Sequence, residues 1–307
     1  MADKNAPLAG EYVRKMSGFR SWIETDNPDA RFVAEPGRYH LYISRNCPWS
    51  HRTALARELK GLQDVISMDV LGYRRSDDDE WVFRPEIEGC TTDRVNGASG
   101  MREIYRTADP DYSGSATVPV VYDTQTDKIV SNESAEIIRM FNTAFNAWAG
   151  EPELDLYPVH LRGAIDETND WTYQLLNNGV YRAGFSGSQE AYEDAFDDVF
   201  AALDRLETIL TENAFLCGDL LTEADVRVFV TLFRFDPVYF IRFKCNKTMI
   251  ETGYPQLWAY LKRLYNLPGF AASTNLSHIK NGYFGRSGDG IVPLGWGDDY
   301  LAKLACS

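Results

Sequence analysis

The most informative stretch of the chain is RYHLYISRNCPWSHRTALAREL, residues 38–59. Residues 38–44 are rich in β-forming side chains that alternate along the segment, which predicts a strand. Good helix formers dominate residues 49–59, and Gly61 just beyond them is typical of a helix stop. A turn that contains Cys47 lies between the two segments. The stretch therefore predicts a strand that passes into a helix at a cysteine.

The rest of the first half continues in the same style. Strands are predicted at residues 65–71, 117–122 and 129–131, and a helix at residues 135–145. The stretch RRSDDDEWVFRPEIEG, residues 74–89, is strongly charged, and residues 105–115 are rich in turn formers, so both are predicted to be loops. The resulting order, strand–helix–strand followed by two strands and a helix, predicts a thioredoxin-like α/β domain.

The second half of the chain shows the hydrophobic period of helices and little of the alternation typical of strands. Residues 149–158 are rich in Pro, Gly and Glu, which indicates a linker. Beyond this linker strand patterns nearly vanish, and helices are predicted at about 160–178, 189–213, 223–236 and 254–266. Thr222 followed by Asp225 is typical of a helix start with an N-cap and an acidic third position. We therefore predict an all-helical second domain.

Composition restricts the class of protein. The chain has 307 residues, of which 44% are hydrophobic, so it can bury a sizeable core and is not predicted to be disordered. Its start, MADKNAPLAGEYVRK, lacks a signal-peptide pattern, and no run reaches the roughly 20 apolar residues of a membrane span. We expect a cytoplasmic protein with no membrane partner. The net charge of -14 opposes binding to nucleic acid.

The five cysteines point to thiol chemistry at one position. Their spacing matches neither a disulfide framework nor a metal site, so no metal is expected. A thiol at a helix start meets unpaired backbone N–H groups and the positive end of the helix dipole, which favours the thiolate. Cys47 is therefore the predicted nucleophile. The alternative is that Cys47 is simply a small buried residue of the core. Ser50 stands where a dithiol oxidoreductase has its second cysteine, so an external thiol must resolve a mixed disulfide on Cys47.

A set of motifs carries a family resemblance. In order along the chain they are YISRNCPWSHR, DEWVF, ADPDYSGSATVPVVYD, IVSNESAEIIRMFN, GVYRAGF and RFDPVYFIRFKCN. Over about residues 18–285 the chain resembles the Xi-class glutathione transferases, the glutathionyl-hydroquinone reductases. The resemblance implies the glutathione transferase fold, an α/β thioredoxin-like domain followed by an all-α domain, and a homodimer. The expected domains are an N-terminal extension at 1–37, a glutathione-binding domain at 38–148, a helical substrate domain at 159–285 and a C-terminal tail at 286–307.

The first domain carries a predicted site for an extended thiol peptide. Val118-Pro119 is typical of a cis-proline turn, whose exposed backbone pairs with a peptide; an ordinary trans proline is the alternative. At the next helix start, Ser134 and free N–H groups can hold a carboxylate, and Glu133 can pair with an ammonium. Glutathione offers both groups at its γ-glutamyl end, and a plain helix cap is the alternative. The resemblance implies that Trp81 covers glutathione; without it, Trp81 is a core or surface aromatic.

One position departs from the family pattern at this site. The family commonly has an arginine where this chain has Ser115, so the cation expected for the glycyl carboxylate of glutathione is missing. Arg45, Arg52 or Arg102 is a possible substitute. The other reading is a smaller thiol, such as γ-glutamylcysteine.

The resemblance also implies tyrosines around the quinol. Tyr181 and Tyr283 match these positions, and Tyr239 matches them less closely. Because the chain has 17 tyrosines, an ordinary packing role is the alternative for each. The family tends to carry a histidine where Gly282 stands, and the tail here is shorter, so substrate range or rate can differ from the family pattern.

The implied reaction reduces glutathionyl-hydroquinones to hydroquinones with glutathione as co-substrate and no permanently bound cofactor. Tyrosines would help protonate the ring carbon, Cys47 would attack the glutathionyl sulfur, and a second glutathione would release glutathione disulfide. One alternative is an omega-like thiol transferase or dehydroascorbate reductase that uses the same Cys47. The other is a non-catalytic ligand-binding protein.

Overall fold

The computed structural model describes residues 8–25, 27–73, 80–285 and 290–306. They belong to two compact units. We call the first the sheet unit, which comprises Ser17–Tyr157 and Leu267–Pro293. The second, the helical unit, comprises Met1–Met16, Pro158–Asn266 and Leu294–Ser307.

The described residues form four strands and a larger number of helices. The strands are β1 (Tyr39–Ser44), β2 (Ser67–Leu71), β3 (Val120–Asp123) and β4 (Lys128–Ser131). The helices are α1 (Pro48–Leu59), α2 (Met101–Ala108), α3 (Ser134–Thr143), α4 (Arg162–Thr172), α5 (Gly179–Gly184), α6 (Gln189–Ile209), α7 (Glu223–Arg234), α8 (Phe240–Arg242), α9 (Ile250–Gly253), α10 (Pro255–Tyr265), α11 (Phe270–Ser273), α12 (Leu276–Phe284) and α13 (Asp298–Ala305). A 3-10 turn spans Val159–Leu161, and π-helical turns span Tyr173–Asn177 and Phe235–Tyr239.

The sheet has the strand order β2-β1-β3-β4. β1 is parallel to β2 and antiparallel to β3, and β3 is antiparallel to β4. Every residue of β1 is buried, as expected for an inner strand covered on both faces. The predicted strand and helix on either side of Cys47 are confirmed, and so is the thioredoxin-like α/β domain.

The sequence interpretation missed α2. Residues 105–108 were predicted to lie in a loop, but they are the second half of this helix, so that prediction is wrong. Met101, Ile104, Tyr105 and Ala108 repeat at helical spacing and are all buried, which fixes the apolar face of α2. Of the other predicted loop, residues 74–79 lie outside the described residues, and residues 80–89 contain neither helix nor strand beyond one isolated bridge.

The two units interleave along the chain, whereas the sequence predicts consecutive domains. Residues 17–21 run antiparallel to β4, because the Ser21 N–H donates to the Val130 carbonyl and an isolated bridge joins Arg20 to Ser131. The segment after residue 266 also lies in the sheet unit. There the Ser273 hydroxyl contacts the His51 ring at 2.9 Å and thereby joins α11 to α1.

The helical unit is built around α7, whose residues are almost all buried. The predicted helix start is confirmed as a capping box between Thr222 and Asp225. The Asp225 carboxylate also accepts hydrogen bonds from the Leu216 N–H and the Tyr260 hydroxyl, at 2.9 and 2.7 Å. Burial raises the pKa of Asp225 even though these hydrogen bonds oppose the shift.

No helix within the described ranges combines the length and apolarity that crossing a membrane requires. All five cysteines are free thiols.

Candidate active site

Cys47 occupies the N-cap of α1. Its backbone is extended, with φ -76° and ψ 122°, and Pro48 follows it in the first turn of the helix. This arrangement suits both residues, because an N-cap lies outside the helix while proline lacks the N–H that a first turn leaves unpaired. The thiol therefore stands at the amino end of α1, as the sequence predicted.

The Cys47 thiol faces the turn before β3. Its Sγ lies 3.6 Å from the Val118 carbonyl oxygen, to which the S–H donates. The Val118-Pro119 peptide bond is cis, which confirms that prediction. Cys47 and Val118 share an apolar cluster with Trp81, which is only 9% exposed. Three of the predicted site residues are thus brought together in one apolar cluster, although the burial of Trp81 also fits a core role.

The start of α3 carries the predicted γ-glutamyl site. Glu133 is the N-cap residue, and its Oε1 accepts a hydrogen bond from the Ala135 N–H at 3.1 Å. Its Oε2 accepts one from the Ser17 hydroxyl at 2.9 Å. Ser134 follows as the first helical residue and is buried. Glu133 therefore does cap the helix, and both of its carboxylate oxygens accept hydrogen bonds.

Ser17 contacts the predicted site, and the sequence interpretation missed this contact. Its hydroxyl approaches both Glu133 and, at 3.3 Å, the carbonyl oxygen of Asn132. Asn132 in turn binds the neighbouring chain segment, since its Oδ1 accepts from the Phe19 N–H at 3.1 Å. A serine in an irregular segment carries no sequence signal for this role, because the contact depends on pairing with a strand far along the chain.

Three of the other cysteines have raised pKa values. Burial raises the pKa of Cys90 to about 11 and that of Cys245 to about 12, and it also raises the pKa of Cys217. Such thiols are protonated at neutral pH and are poor nucleophiles. Cys306 is exposed at the end of α13. Ser50, in the place of a second active-site cysteine, is fully buried, and its hydroxyl accepts a hydrogen bond from the Ser44 N–H at 3.3 Å.

The arginines considered as substitutes at Ser115 differ in exposure. Arg52 is buried, with its guanidinium carbon 4.5 Å from the centre of the Trp49 ring. The Arg102 side chain is 44% exposed and forms a 3.7 Å ion pair with Glu80. Of these two, only Arg102 presents its charge to solvent.

The close approach of Asn46 explains why this chain has glycine at position 282, where the family tends to carry a histidine. A Cβ at this position would lie 2.3 Å from Nδ2 and 2.6 Å from Cβ of Asn46. Asn46 is itself held by the Ser44 hydroxyl, which donates to its Oδ1 at 2.6 Å. There is therefore no room for a histidine here. The close contact also places α12, which carries the half-buried Tyr283, beside the residue that precedes Cys47.

Tyr181 and Tyr239 meet within the helical unit. Their hydroxyl oxygens are 3.5 Å apart, and their ring centres are 5.9 Å apart. Both rings also pack against Phe243, at 5.3 and 5.2 Å between centres. Tyr239 is fully buried, whereas Tyr181 keeps 8% exposure. The structure thus pairs two of the three predicted tyrosines, and such a pair of hydroxyls can donate and pass on a proton.

Comparison with known proteins identifies related sequences over nearly the whole chain. The family model for the glutathione S-transferase N-terminal domain matches residues 46–144, and the model for the C-terminal domain matches residues 189–263. The glutathionyl-hydroquinone reductase YqjG of Escherichia coli is 47% identical over 291 residues, which cover 93% of this chain and 88% of YqjG.

Two solved structures are also similar. The crystal structure of the glutathione S-transferase Xi from Phanerochaete chrysosporium has a TM-score of 0.88 at 46% identity, with 92% of this chain and 97% of that chain covered. The glutathione-bound structure of Escherichia coli YqjG has a TM-score of 0.85 at 47% identity, with 90% and 92% covered.

Proposed function

The chain belongs to the Xi class of glutathione transferases, and we propose on this basis that it reduces glutathionyl-hydroquinones to hydroquinones through a mixed disulfide on Cys47. The observation that carries the proposal is the position of Cys47 at the N-cap of α1, with its thiol toward the Val118 carbonyl. A thiol at this place can meet the sulfur of a peptide that lies along the Val118 turn.

Glutathione is the proposed co-substrate, and it was the ligand in the YqjG structure. In the proposed complex its cysteinyl backbone pairs with Val118 beside Pro119, and Trp81 covers the peptide. Its γ-glutamyl carboxylate binds at Ser134, the first residue of α3, while its ammonium pairs with Glu133. The Ser17 contact supports this assignment, because it fixes the Glu133 carboxylate before a ligand arrives.

The proposed reaction transfers the glutathionyl group in two steps. First, a tyrosine protonates the ring carbon that bears sulfur, and the Cys47 thiolate attacks that sulfur. The carbon–sulfur electron pair returns to the ring, so hydroquinone leaves while Cys47 becomes disulfide-linked to glutathione. Second, a free glutathione thiolate attacks the mixed disulfide, which releases glutathione disulfide and restores Cys47. No metal or permanently bound cofactor takes part in this scheme.

Tyr181, Tyr239 and Tyr283 are the proposed quinol residues. Tyr181 and Tyr239 supply a hydroxyl pair in an aromatic environment, which suits an apolar ring that must receive a proton. We place the enzyme in the cytoplasm, where thiols stay reduced, and propose that it acts as a homodimer.

A trapping experiment tests the proposed function. The wild-type protein is mixed with glutathionyl-menadiol without free glutathione, and intact-mass analysis should find one added glutathionyl group that peptide mapping assigns to Cys47. Added glutathione should then release glutathione disulfide. Cys47→Ser should release no menadiol, whereas the control Cys306→Ser, which alters the exposed cysteine, should turn over normally.

The same experiment has clear contrary outcomes. An adduct on another cysteine, or normal turnover by Cys47→Ser, would refute the role of Cys47. If the wild type reduces small glutathione mixed disulfides but not glutathionyl-menadiol, the protein is a thiol transferase of the omega-like kind instead.

A further inference from the structure

The N-terminal segment 8–16 packs on the helix that carries Tyr181. The Gly187 N–H donates to the Gly10 carbonyl at 2.7 Å, and the Ser188 hydroxyl donates to the Ala9 carbonyl at 2.7 Å. Gly10 has φ +83°, and a Cβ there would lie 2.8 Å from the Gly187 carbonyl carbon, so only glycine fits this close approach. The segment is therefore held on the helical unit by specific backbone contacts.

Charged contacts add to this attachment. Arg182 of α5 forms ion pairs with Glu11 at 3.1 Å and with Asp198 at 2.6 Å, and it also pairs with Asp194. The Arg182 side chain is only 15% exposed. Salt therefore weakens these ion pairs less than it weakens a fully exposed surface ion pair. The charge of Arg182 is thus paired with carboxylates.

Arg14, in contrast, contacts an amide and an aromatic ring. Its Nε donates to Oδ1 of Asn178, the residue before α5, at 2.9 Å. Its guanidinium carbon lies 4.8 Å from the centre of the Tyr181 ring and 5.6 Å from that of Tyr12. The hydrogen bond fixes the direction of the planar guanidinium, so the cation stays over the face of Tyr181.

A cation in this position affects the chemistry of the Tyr181 hydroxyl. When a phenol gives up its proton, negative charge spreads from the oxygen into the ring, and a guanidinium over the ring attracts this charge more strongly than the neutral ring. The Tyr239 hydroxyl, 3.5 Å from that of Tyr181, can donate toward the same developing oxyanion. Both groups favour proton donation by Tyr181.

We propose that Arg14 is a positioning residue for Tyr181, which holds the Tyr181 ring in place and stabilises the negative charge that develops when its hydroxyl protonates the quinol. This inference rests on the proposed function, because it matters only where ring protonation is required. Reduction of a simple disulfide needs no such proton, so that reaction should not depend on Arg14.

The test compares two substrates across three variants. Arg14→Gln removes the charge, Arg14→Lys keeps it without the fixed guanidinium plane, and Arg205→Gln is the matched control. Arg205 also lies over an aromatic ring of the helical unit, 4.2 Å from the centre of Trp171. Each protein is assayed with glutathionyl-menadiol and with the mixed disulfide of glutathione and cysteamine, and its thermal midpoint is recorded.

Arg14→Gln should lower kcat for glutathionyl-menadiol about tenfold, the order expected for a half-buried cation–π contact, while its kcat for the mixed disulfide and its KM for glutathione stay unchanged. Arg14→Lys should recover part of the loss, and Arg205→Gln should match the wild type on both substrates. The split between substrates identifies positioning, because a merely structural role for Arg14 would lower both activities together.

Three results would overturn the inference. If Arg14→Gln equals the wild type on glutathionyl-menadiol, Arg14 does not assist Tyr181, although the proposed function stands. If Arg14→Gln and Arg14→Lys lose both activities in parallel, or lose them with a falling thermal midpoint, Arg14 only holds the segment in place. If the wild type reduces the disulfide but not glutathionyl-menadiol, the proposed function fails and the inference fails with it.

Discussion

Replacing Gly282 with alanine tests whether α12 restrains the turn that carries Cys47. The new Cβ would lie 2.3 Å from Nδ2 and 2.6 Å from both Cβ and Cγ of Asn46. Carbon atoms in contact ordinarily stay about 3.5–4.0 Å apart, so the side chain or the helix must retreat by roughly 1 Å. Rotation of the amide alone cannot relieve a contact with the Cβ atom of Asn46, so the shift reaches the backbone next to Cys47.

The expected change in stability follows from these contacts. Overfilling a packed site costs about 1–3 kcal/mol. Moving Asn46 also weakens the 2.6 Å hydrogen bond from the Ser44 hydroxyl, which is worth about 1 kcal/mol. Alanine stabilises a helix by about 1 kcal/mol relative to glycine. The net expectation is a loss of about 1–3 kcal/mol in the free energy of unfolding.

Turnover should fall further than stability suggests. A displacement of about 1 Å at reacting groups lowers turnover by roughly a hundredfold, so we expect Gly282→Ala to lose most activity with glutathionyl-menadiol while the protein stays folded. The measurements are urea unfolding and the rate of Cys47 alkylation by iodoacetamide. Gly163→Ala is the matched control, since Gly163 is also helical but a Cβ there would meet no atom within 4 Å.

The two alanine substitutions should change the free energy of unfolding in opposite directions. Gly163→Ala should be slightly more stable than the wild type, by about 0.5–1 kcal/mol, with normal activity. If Gly282→Ala behaves in the same way as Gly163→Ala, Asn46 accommodates the extra carbon, and α12 does not hold the Cys47 turn in place.

Two further predictions concern carboxylates of the sheet unit that accept hydrogen bonds, Glu133 and Asp69. Ser17→Ala should raise KM for glutathione about fivefold and leave kcat unchanged, because a hydrogen bond worth about 1 kcal/mol no longer orients the Glu133 carboxylate; an unchanged KM would remove Ser17 from the site. Burial alone raises the pKa of Asp69, but hydrogen bonds from His40 and Arg94 outweigh it and lower that pKa to about 2. Because the folded pKa is lowered, this stability is present above about pH 4 and is lost as the pH falls toward 2, by about 2 kcal/mol in total; Asp69→Asn should lack this part of the acid dependence in urea unfolding, and an identical pH profile would contradict the assignment.

The sequence predicted the parts of the fold that local signals determine. The strand, the turn and the helix around Cys47 were evident because strand and helix periods change within a few residues of a proline. The Thr222–Asp225 capping box was evident for a similar reason, since both partners lie within one helical turn. In each case the residues that make the contact are neighbours in the chain.

The short helix α2 shows where local signals are insufficient. Its N-cap is Gly100, which offers no side-chain cap, and the Met101 N–H is instead satisfied by the Trp81 carbonyl at 2.8 Å. An eight-residue helix of this kind is marginal by itself and depends on tertiary packing. The apolar spacing in α2 was visible in the sequence, but the turn formers that follow it favoured a loop.

The site contacts that sequence reasoning missed are all distant in the chain. Ser17 reaches Glu133 only because residues 17–21 pair with β4, and Gly282 reaches Asn46 only because α12 lies beside the Cys47 turn. A hydroxyl or a missing side chain carries no local pattern that would indicate such a partner. The family resemblance supplied the proposed ligand-binding residues but gave no role to Ser17.

The properties of the other thiols and of Ser50 bear on how the proposed catalytic cycle on Cys47 ends. Ser50 cannot form a disulfide, and its buried hydroxyl is bound by the Ser44 N–H. Burial keeps Cys90, Cys217 and Cys245 protonated at neutral pH, so none of them is suited to attack a mixed disulfide on Cys47. In the proposed cycle we therefore expect a thiol from solution, and none of these three buried thiols or Ser50, to release the glutathionyl group. We therefore expect the rate of this second step to rise with the concentration of free glutathione, and the rate of the first step to be independent of it.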